Sequence, residues 1–280
     1  MPFVTTRDGT QLFCRRWGSG PPIVFVHGWA VDSSLWESAM TLAVQAGFEA
    51  ICYDRRSHGR SDDPGRGYDY DTLADDLAEV MAALDVTGAT MVGHSMGAGE
   101  IARYIARHGG ARVARVVMAA PALPYSLQTP DNPEGRTTAA QADAWHDAWA
   151  TGWVEWLGAA APAAYGPDAS PDRVQHTLRA MLRCPAWVAI ELNKTVTSTD
   201  FRGELRSLAT PTLVLHGDAD QSCPLESTGA RLPALMPDCR LKVYPGADHT
   251  FIGGSARRIM EDVLAFIGAA TPRIRLFSAQ

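Results

Sequence analysis

The pentapeptide GHSMG at residues 93–97 decides the fold prediction. G-x-S-x-G is typical of a sharp strand-to-helix turn that presents a serine at the carboxyl edge of a sheet. Gly93 and Gly97 supply the small residues needed where the chain folds back tightly. The chain has 25 glycines, so the motif is informative only if a strand precedes it and a helix follows it.

The sequence around the motif supplies that context. ATMVGHS (89–95) is typical of a buried strand, and MGAGEIARYIARHGG (96–110) has helical spacing. Further strands are predicted at 11–17, 22–28, 49–54, 112–121, 210–217 and 239–246, and further helices at 33–47, 71–86, near 225–235 and at 255–269. Alternating strands and helices indicate an α/β fold with a mostly parallel sheet and right-handed crossovers.

The alternation stops at about residue 122. A segment rich in proline, asparagine and glycine comes first, and helical patterns follow at 138–157 and 172–183. The sequence therefore predicts a core formed by residues 1–121 and 206–280, with a helical cap at 122–205 inserted after strand six of an eight-stranded sheet.

A serine hydroxyl needs a base, and the base needs an acid that fixes its tautomer. GADHTF (246–251) offers His249 in a loop after the last strand, and HGDADQSCP (216–224) offers Asp218 and Asp220. The order serine, aspartate, histidine is that of α/β-hydrolases. Ser95, Asp220 and His249 are the predicted catalytic residues, and Asp218 is expected to support the turn.

Two backbone N–H groups are predicted to stabilise a developing oxyanion. One is that of Met96, which follows the serine at a helix N-terminus. The other is that of Trp29, in the HGW segment (27–29) after the third strand. His27 is interpreted as a structural residue that braces this loop.

Composition narrows the class of partner. The 280-residue chain carries a net charge of −6 with acids and bases interspersed, which disfavours nucleic acids and anionic membranes. The five cysteines are scattered, without a C-x-x-C pair, as in a reducing compartment, and no signal peptide is recognised at the N-terminus. A cytoplasmic location is predicted, and homo-oligomer formation is left open.

Several segments closely resemble the cofactor-free haloperoxidase (perhydrolase) and aryl-esterase group of the α/β-hydrolase superfamily. They are TTRDGTQLF, IVFVHGW, YDRRSHGRS, DTLADDLAEVMAALD, GHSMGAGEIARYIARHG and PTLVLHGDADQSCP. The resemblance covers roughly residues 3–121 and 205–268. It implies an α/β-hydrolase fold with Ser95 as nucleophile, Asp220 as acid, His249 as base and Trp29 as the oxyanion tryptophan, and it implies no metal or organic cofactor.

The chain departs from that group at three places. Ala30 stands where peroxide-active members commonly have proline, Ser57 stands where glycine is usual, and the helical insertion looks unlike the common form. Substrate and peroxide activity are therefore open. A proline at position 30 would be expected to raise perhydrolysis relative to hydrolysis, because it fixes the backbone beside the oxyanion loop.

Tryptophans are concentrated in the cap. Trp145, Trp149 and Trp153 recur at i, i+4 and i+8, which predicts one shared helix face. That stripe is either the packing seam of the cap or the roof of the pocket, and both can hold at once. The predicted substrate contacts are Trp29, Tyr125, Trp145, Trp149, Trp153 and Trp187.

The leading functional prediction is a serine hydrolase that cleaves a carboxylic ester or lactone of a fairly bulky, hydrophobic small molecule. Alternatives with the same catalytic parts are perhydrolysis and amide or lactam cleavage. A different class also stays open, namely a non-catalytic ligand-binding receptor on the same fold.

Overall fold

A computed structural model describes residues 2–164, 170–250 and 256–268, without the side chains of 160–164. Within these residues eight strands form one sheet in the order β1-β2-β4-β3-β5-β6-β7-β8. The strands are β1 (Phe3–Thr5), β2 (Gln11–Trp17), β3 (Pro22–Val26), β4 (Glu49–Tyr53), β5 (Ala89–His94), β6 (Val113–Ala119), β7 (Thr212–Gly217) and β8 (Cys239–Tyr244). Pairing is antiparallel between β1 and β2 and between β2 and β4, and parallel elsewhere. This confirms the predicted α/β-hydrolase sheet.

Helices cover both faces of the sheet. They are α1 (Glu37–Gln45), α2 (Tyr70–Ala83), α3 (Met96–His108), α4 (Ala139–Ala164), α5 (Pro171–Met181), α6 (Ala186–Ser198), α7 (Arg202–Ser207), α8 (Leu232–Leu235) and α9 (Ala256–Ile267). Successive residues of β3 point to opposite faces. Ile23 and Phe25 accordingly pack in the core beneath α1 and α9, whereas Val24 and Val26 pack in the core beneath α2 and α3. The near-continuous apolar strands are thus buried on both sides.

Some elements differ from the sequence prediction. The single helix expected near 225–235 is two 3-10 turns, Leu225–Ser227 and Gly229–Arg231, followed by the short α8. Gly229 lies against the ring of His216, where a Cβ would come within 2.3 Å of Nδ1. Prolines near the start of the first and last of these turns also interrupt a regular helix. The sequence analysis missed the three-residue β1 and the helices α6 and α7.

The described residues between β6 and β7 contain four helices, α4 to α7, and no strand. Helix α4 is bent, because Gly152 has the non-helical angles φ −159° and ψ 55°. The bend interrupts the regular helical spacing of Trp145, Trp149 and Trp153, but the rings stay grouped, with the centroids of Trp145 and Trp149 6.5 Å apart. Trp149 and Trp153 flank the bend, yet their ring centroids still lie 5.9 Å apart.

Among the helices of the described ranges, we find none that combines the length and the apolar character needed to cross a membrane.

Candidate active site

The turn at Ser95 is strained in the way the motif predicts. Ser95 joins β5 to α3 with φ 52° and ψ −116°, a conformation that L-residues adopt rarely. A Cβ at Gly93 would lie 2.7 Å from the carbonyl group of Gly97, and a Cβ at Gly97 would lie 2.6 Å from the Val26 oxygen. Both positions therefore require glycine. The backbone N–H of Ser95 donates to the Ala119 oxygen over 2.9 Å, which ties the turn to β6.

Asp220 and His249 are brought together by the loops that follow β7 and β8. His249 Nδ1 lies 2.7 Å from Asp220 Oδ2. A carboxylate oxygen can only accept, so Nδ1 carries the proton and Nε2 keeps its lone pair. Ser95 and His249 line the same cavity, so the imidazole with the free Nε2 lone pair and the serine hydroxyl belong to one site.

The Asp220 carboxylate is held ionised. Its Oδ1 accepts the backbone N–H groups of Ser222 over 2.9 Å and of Cys223 over 2.7 Å, and His216 Nε2 lies 3.1 Å from Oδ2. Burial alone would raise the pKa of Asp220, but the electrostatic interaction with the His249 ring and the hydrogen bonds from His216, His249 and the Cys223 N–H outweigh burial and lower that pKa well below the usual range.

Asp218 occupies a different position. Its Oδ1 accepts the backbone N–H of Gly246 over 2.6 Å, which braces the loop that leads to the histidine. Asp220, rather than Asp218, therefore faces the imidazole. Asp218 lies where a residue that supports the turn is expected.

The loop after β3 is fixed by a buried ionic network. Arg55 pairs with Glu100 over 2.7 Å, and both side chains are almost wholly buried. The Arg55 guanidinium also donates to the carbonyl oxygens of His27 over 2.8 Å and Gly28 over 3.2 Å. The Gly28 carbonyl belongs to the same peptide unit as the Trp29 N–H, so Arg55 orients that N–H and increases its polarity.

His27 takes part in the same network as a neutral residue. Its Nε2 accepts the backbone N–H of Arg55, and its Nδ1 donates to the Gly28 oxygen, both over 2.9 Å. Burial, followed by the charge of Arg55, holds the pKa of His27 well below its ordinary value. These contacts agree with a structural role. Arg55 and Glu100 were not predicted from the sequence. The only signal for them was the pair of arginines, Arg55 and Arg56, two residues after the end of β4.

His94 and Cys223 surround Ser95. His94 Nε2 donates to the His249 backbone oxygen over 3.0 Å, which positions the histidine loop. Burial, with the neighbouring His249, lowers the pKa of His94 to about 3. The Cys223 thiol interacts with the Ser95 side chain, and burial raises its pKa to about 12. Both residues are therefore neutral at pH 7.

A cavity of about 490 Å³ opens above Ser95, between the sheet edge and the cap. Its apolar lining consists of Trp29, Val31, Leu35, Met96, Ala122, Trp145, Trp149, Trp156, Leu157, Leu178, Met181, Val196 and Pro224. Trp29 connects the two sides, because its Nε1 donates to the Ala189 oxygen of α6 over 2.7 Å and its ring lies 4.9 Å from that of Trp149.

Three predicted substrate contacts lie outside this lining. Trp187 is 59% exposed, because α6 turns it toward solvent. Tyr125 lies beneath the guanidinium of Arg202, with 5.4 Å between the guanidinium carbon and the ring centroid. Trp153 is buried behind Trp29, with centroids 5.7 Å apart, and supports the wall without lining it. These placements correct the predicted set, which also lacked several residues that do line the cavity, Trp156 and Arg136 among them.

Metal ligands are not grouped at the site. In the described part of the chain, we find no cluster of three or more His, Cys, Asp or Glu side chains that could hold a metal ion.

Known proteins share this architecture. Residues 21–182 match the model of the family described as alpha/beta hydrolase fold. The chain belongs to that family. It is 40% identical over 273 residues to a protein named non-heme haloperoxidase from Rhodococcus erythropolis, covering 95% of this chain and 99% of the relative.

Two further likenesses place the hydrolase within a group. A bifunctional esterase/perhydrolase of Acinetobacter calcoaceticus is 34% identical over 274 residues, covering 95% of this chain and 99% of the relative. The solved structure of an esterase from Exiguobacterium antarcticum superposes with a TM-score of 0.91 at 26% identity, covering 95% of this chain and 99% of that chain. The chain is therefore an enzyme of the haloperoxidase and esterase group of α/β-hydrolases.

Proposed function

We propose that this enzyme hydrolyses a carboxylic ester or lactone of a bulky, hydrophobic small molecule through an acyl-enzyme on Ser95. The observation that carries the proposal is the strained Ser95 in one cavity with His249, whose Nδ1 lies 2.7 Å from a buried carboxylate. A hydroxyl on a sharp turn, an imidazole whose Nδ1 is paired with a carboxylate and an acid that stays ionised are the parts of a catalytic triad.

The reaction follows from these parts. Ser95 Oγ attacks the carbonyl carbon while His249 Nε2 accepts the hydroxyl proton, and the N–H groups of Trp29 and Met96 stabilise the oxyanion. The bond to the leaving oxygen breaks as His249 returns the proton to it. Water then attacks the acyl-enzyme with His249 again as base, which releases the acid and restores Ser95.

The cap, residues 122–205, is proposed to select the substrate. The tryptophans of α4 and the apolar side chains of α5 and α6 form most of the roof above Ser95. An apolar roof contributes about 25 cal/mol for each Å² of substrate surface that it removes from water. This favours large hydrophobic acyl or alcohol groups over acetate.

Perhydrolysis is the second candidate, and the names of the two close relatives favour it. Hydrogen peroxide would replace water in the second half of the reaction, giving a peracid and free Ser95. Ala30, beside the oxyanion loop, has φ 55°, a conformation that proline cannot adopt. The loop therefore lacks the proline-fixed backbone that the peroxide-active members of the resembling group commonly have.

A fluorophosphonate probe tests the proposal. Peptide mapping should find the label on Ser95, one per chain, with no labelling of Ser95→Ala. Turnover of a graded ester and lactone panel by the unmodified enzyme should exceed peracid formation from acetate and peroxide. Label on another residue contradicts the assigned nucleophile, absence of both label and turnover favours a binding protein, and preference for acetate with peroxide favours the perhydrolase.

A further inference from the structure

The charge lining the cavity is unbalanced. Arg136 is the one lysine or arginine in the lining that the structure describes, and no aspartate or glutamate occurs in that lining. Apart from the two histidines, the other groups there are apolar or uncharged polar side chains, and His94 is kept uncharged by its lowered pKa. A half-buried positive charge in a largely apolar cavity has lost part of its hydration, which makes it a site for an anion.

Arg136 is held in place by neutral oxygens. Its Nη1 donates to the Ser222 backbone oxygen over 2.7 Å, and its Nε donates to Ser126 Oγ over 3.2 Å. We find no carboxylate paired with it among the described residues, whereas Arg202, which stacks on Tyr125 of the same loop, pairs with Asp131 and Asp200. Neutral acceptors orient the guanidinium and leave its charge available.

Arg136 contacts the loop that also reaches the side chain of Ser95. Its partner Ser222 adjoins Cys223, whose thiol interacts with the Ser95 side chain. Arg136 and Ser95 thus line one cavity and are connected through the short Ser222–Cys223 segment. The lining near this point also includes the polar residues Thr137 and Gln221, which can hydrogen-bond to an anion.

We propose that Arg136 binds a carboxylate of the substrate, so that the preferred substrate is an ester or lactone that carries a free carboxylate beside its hydrophobic part. This rests on the proposed function of Ser95. The carboxylate would pair with the guanidinium on one side of the cavity while the tryptophans cover the apolar part. Arg136 is then a specificity-determining residue.

Matched substrate pairs test the proposal. The 4-nitrophenyl half-esters of glutarate, adipate and pimelate are compared with their methyl-capped counterparts, and 4-carboxyphenyl esters with 4-carbamoylphenyl esters, after subtraction of the enzyme-free rate. In at least one series kcat/KM should be roughly 10- to 100-fold higher for the carboxylate, as expected for a charge-assisted hydrogen-bonded pair.

Variants at position 136 identify the source of the preference. The quantity compared is the ratio of kcat/KM for the charged ester to kcat/KM for the neutral ester. Arg136→Gln should bring this ratio to about one, Arg136→Lys should keep part of the preference, and Arg136→Glu should make the neutral ester the better substrate. Arg206→Gln on the exposed surface of α7 is the matched control and should leave the ratio unchanged. Because the two esters are compared in the same variant, this ratio does not change if losing the contact with Ser222 lowers activity on both esters equally.

Two failures are distinguishable. Hydrolysis of neutral esters with labelled Ser95, but with no carboxylate preference in either series, overturns the role of Arg136 and leaves the proposed function intact. A carboxylate preference that persists in Arg136→Gln also overturns it. Loss of labelling and hydrolysis for every substrate contradicts the proposed function itself.

Discussion

The sheet and the cap contribute to the cavity in different ways. On the sheet side, backbone turns place the groups. Ser95 follows from a positive φ and two obligatory glycines, and Asp220 is held by consecutive backbone N–H groups. On the cap side, indole rings of the bent α4 and side chains of α5 and α6 fill space and form the wall. Under the proposed function, the chemistry therefore depends on backbone geometry and the substrate selectivity on side-chain volume.

Several ion pairs and hydrogen bonds join the cap to the sheet side, and one of them, Arg173 of α5 with Asp248 over 2.6 Å, lies next to His249. Arg183, after α5, pairs with the buried Asp32, which itself accepts the N–H of Ser34 in a 3-10 turn over Ser33–Trp36. Thr195 of α6 donates to the Tyr68 backbone oxygen over 2.8 Å. Substitutions of cap residues that line the cavity but make none of these contacts are therefore expected to alter substrate choice with little effect on the proposed catalytic groups. Substitutions of the proposed catalytic groups are expected to lower the rate for every substrate.

The largest effect is expected on the sheet side, at the acid. Asp220→Asn should lower kcat by about ten-thousand-fold for every ester, because the imidazole loses the acceptor that fixes its tautomer. Asp218→Asn is the matched control, because its carboxylate contacts the Gly246 N–H instead of the imidazole. Steady-state kinetics measures both. Equal losses in the two variants would contradict the assignment of Asp220.

Buried histidines on the sheet side should make the free energy of unfolding decrease at low pH. Burial lowers the pKa of His58 to about 4 and of His94 to about 3, and it holds the pKa of His27 well below its ordinary value. The unfolded chain protonates such groups below about pH 6.5, so the unfolded state takes up more protons and stability falls as pH decreases. Each buried histidine should remove about 1.4 kcal/mol of unfolding free energy per pH unit until its folded pKa is reached.

Urea unfolding between pH 7.5 and 5 measures this loss. His176→Gln on the exposed surface of α5 should leave the pH dependence unchanged, since that residue is solvated in both states. A free energy of unfolding that stays constant over this range would show that the three histidines are not kept neutral by burial.

Position 30 tests how strictly the sheet side depends on backbone angles. Ala30 has φ 55° and is completely buried. Proline is restricted to φ near −65°, so Ala30→Pro should destabilise the protein by about 3 kcal/mol and displace Trp29. The sequence-based expectation of a simple gain in perhydrolysis is therefore revised. Ala30→Gly should be neutral or stabilising. A normally stable Ala30→Pro variant with increased peracid formation would contradict this revision.

The smallest effect is expected on the cap side. Trp156 lines the cavity and stacks on Trp153 with centroids 5.9 Å apart. Trp156→Ala should lower kcat/KM for bulky esters by about tenfold, the size of an aromatic contact, and leave acetate esters nearly unchanged. Trp187→Ala is the control, since that indole faces solvent. A uniform loss for all esters would mean that Trp156 supports the fold instead of selecting the substrate.

The sheet was predictable from sequence to the extent that its signals are local. A strand, two glycines and a helix are contiguous around Ser95, and the same regularity located Asp220 and His249. The Arg55–Glu100 pair was missed because its members are 45 positions apart along the chain and meet only through packing. The bend at Gly152 and the positive φ of Ala30 were missed because neither residue type requires that conformation.

Trp29 carries two separate tasks on one residue. Its proposed oxyanion N–H belongs to the main chain, whereas its indole is the part bonded to the Ala189 carbonyl of α6. Every amino acid except proline would keep the first group, but few could reproduce the second. Laboratory evolution at position 29 can therefore loosen or reshape the lid while the reaction machinery is inherited unchanged, which makes this position a practical starting point for broadening the range of substrates.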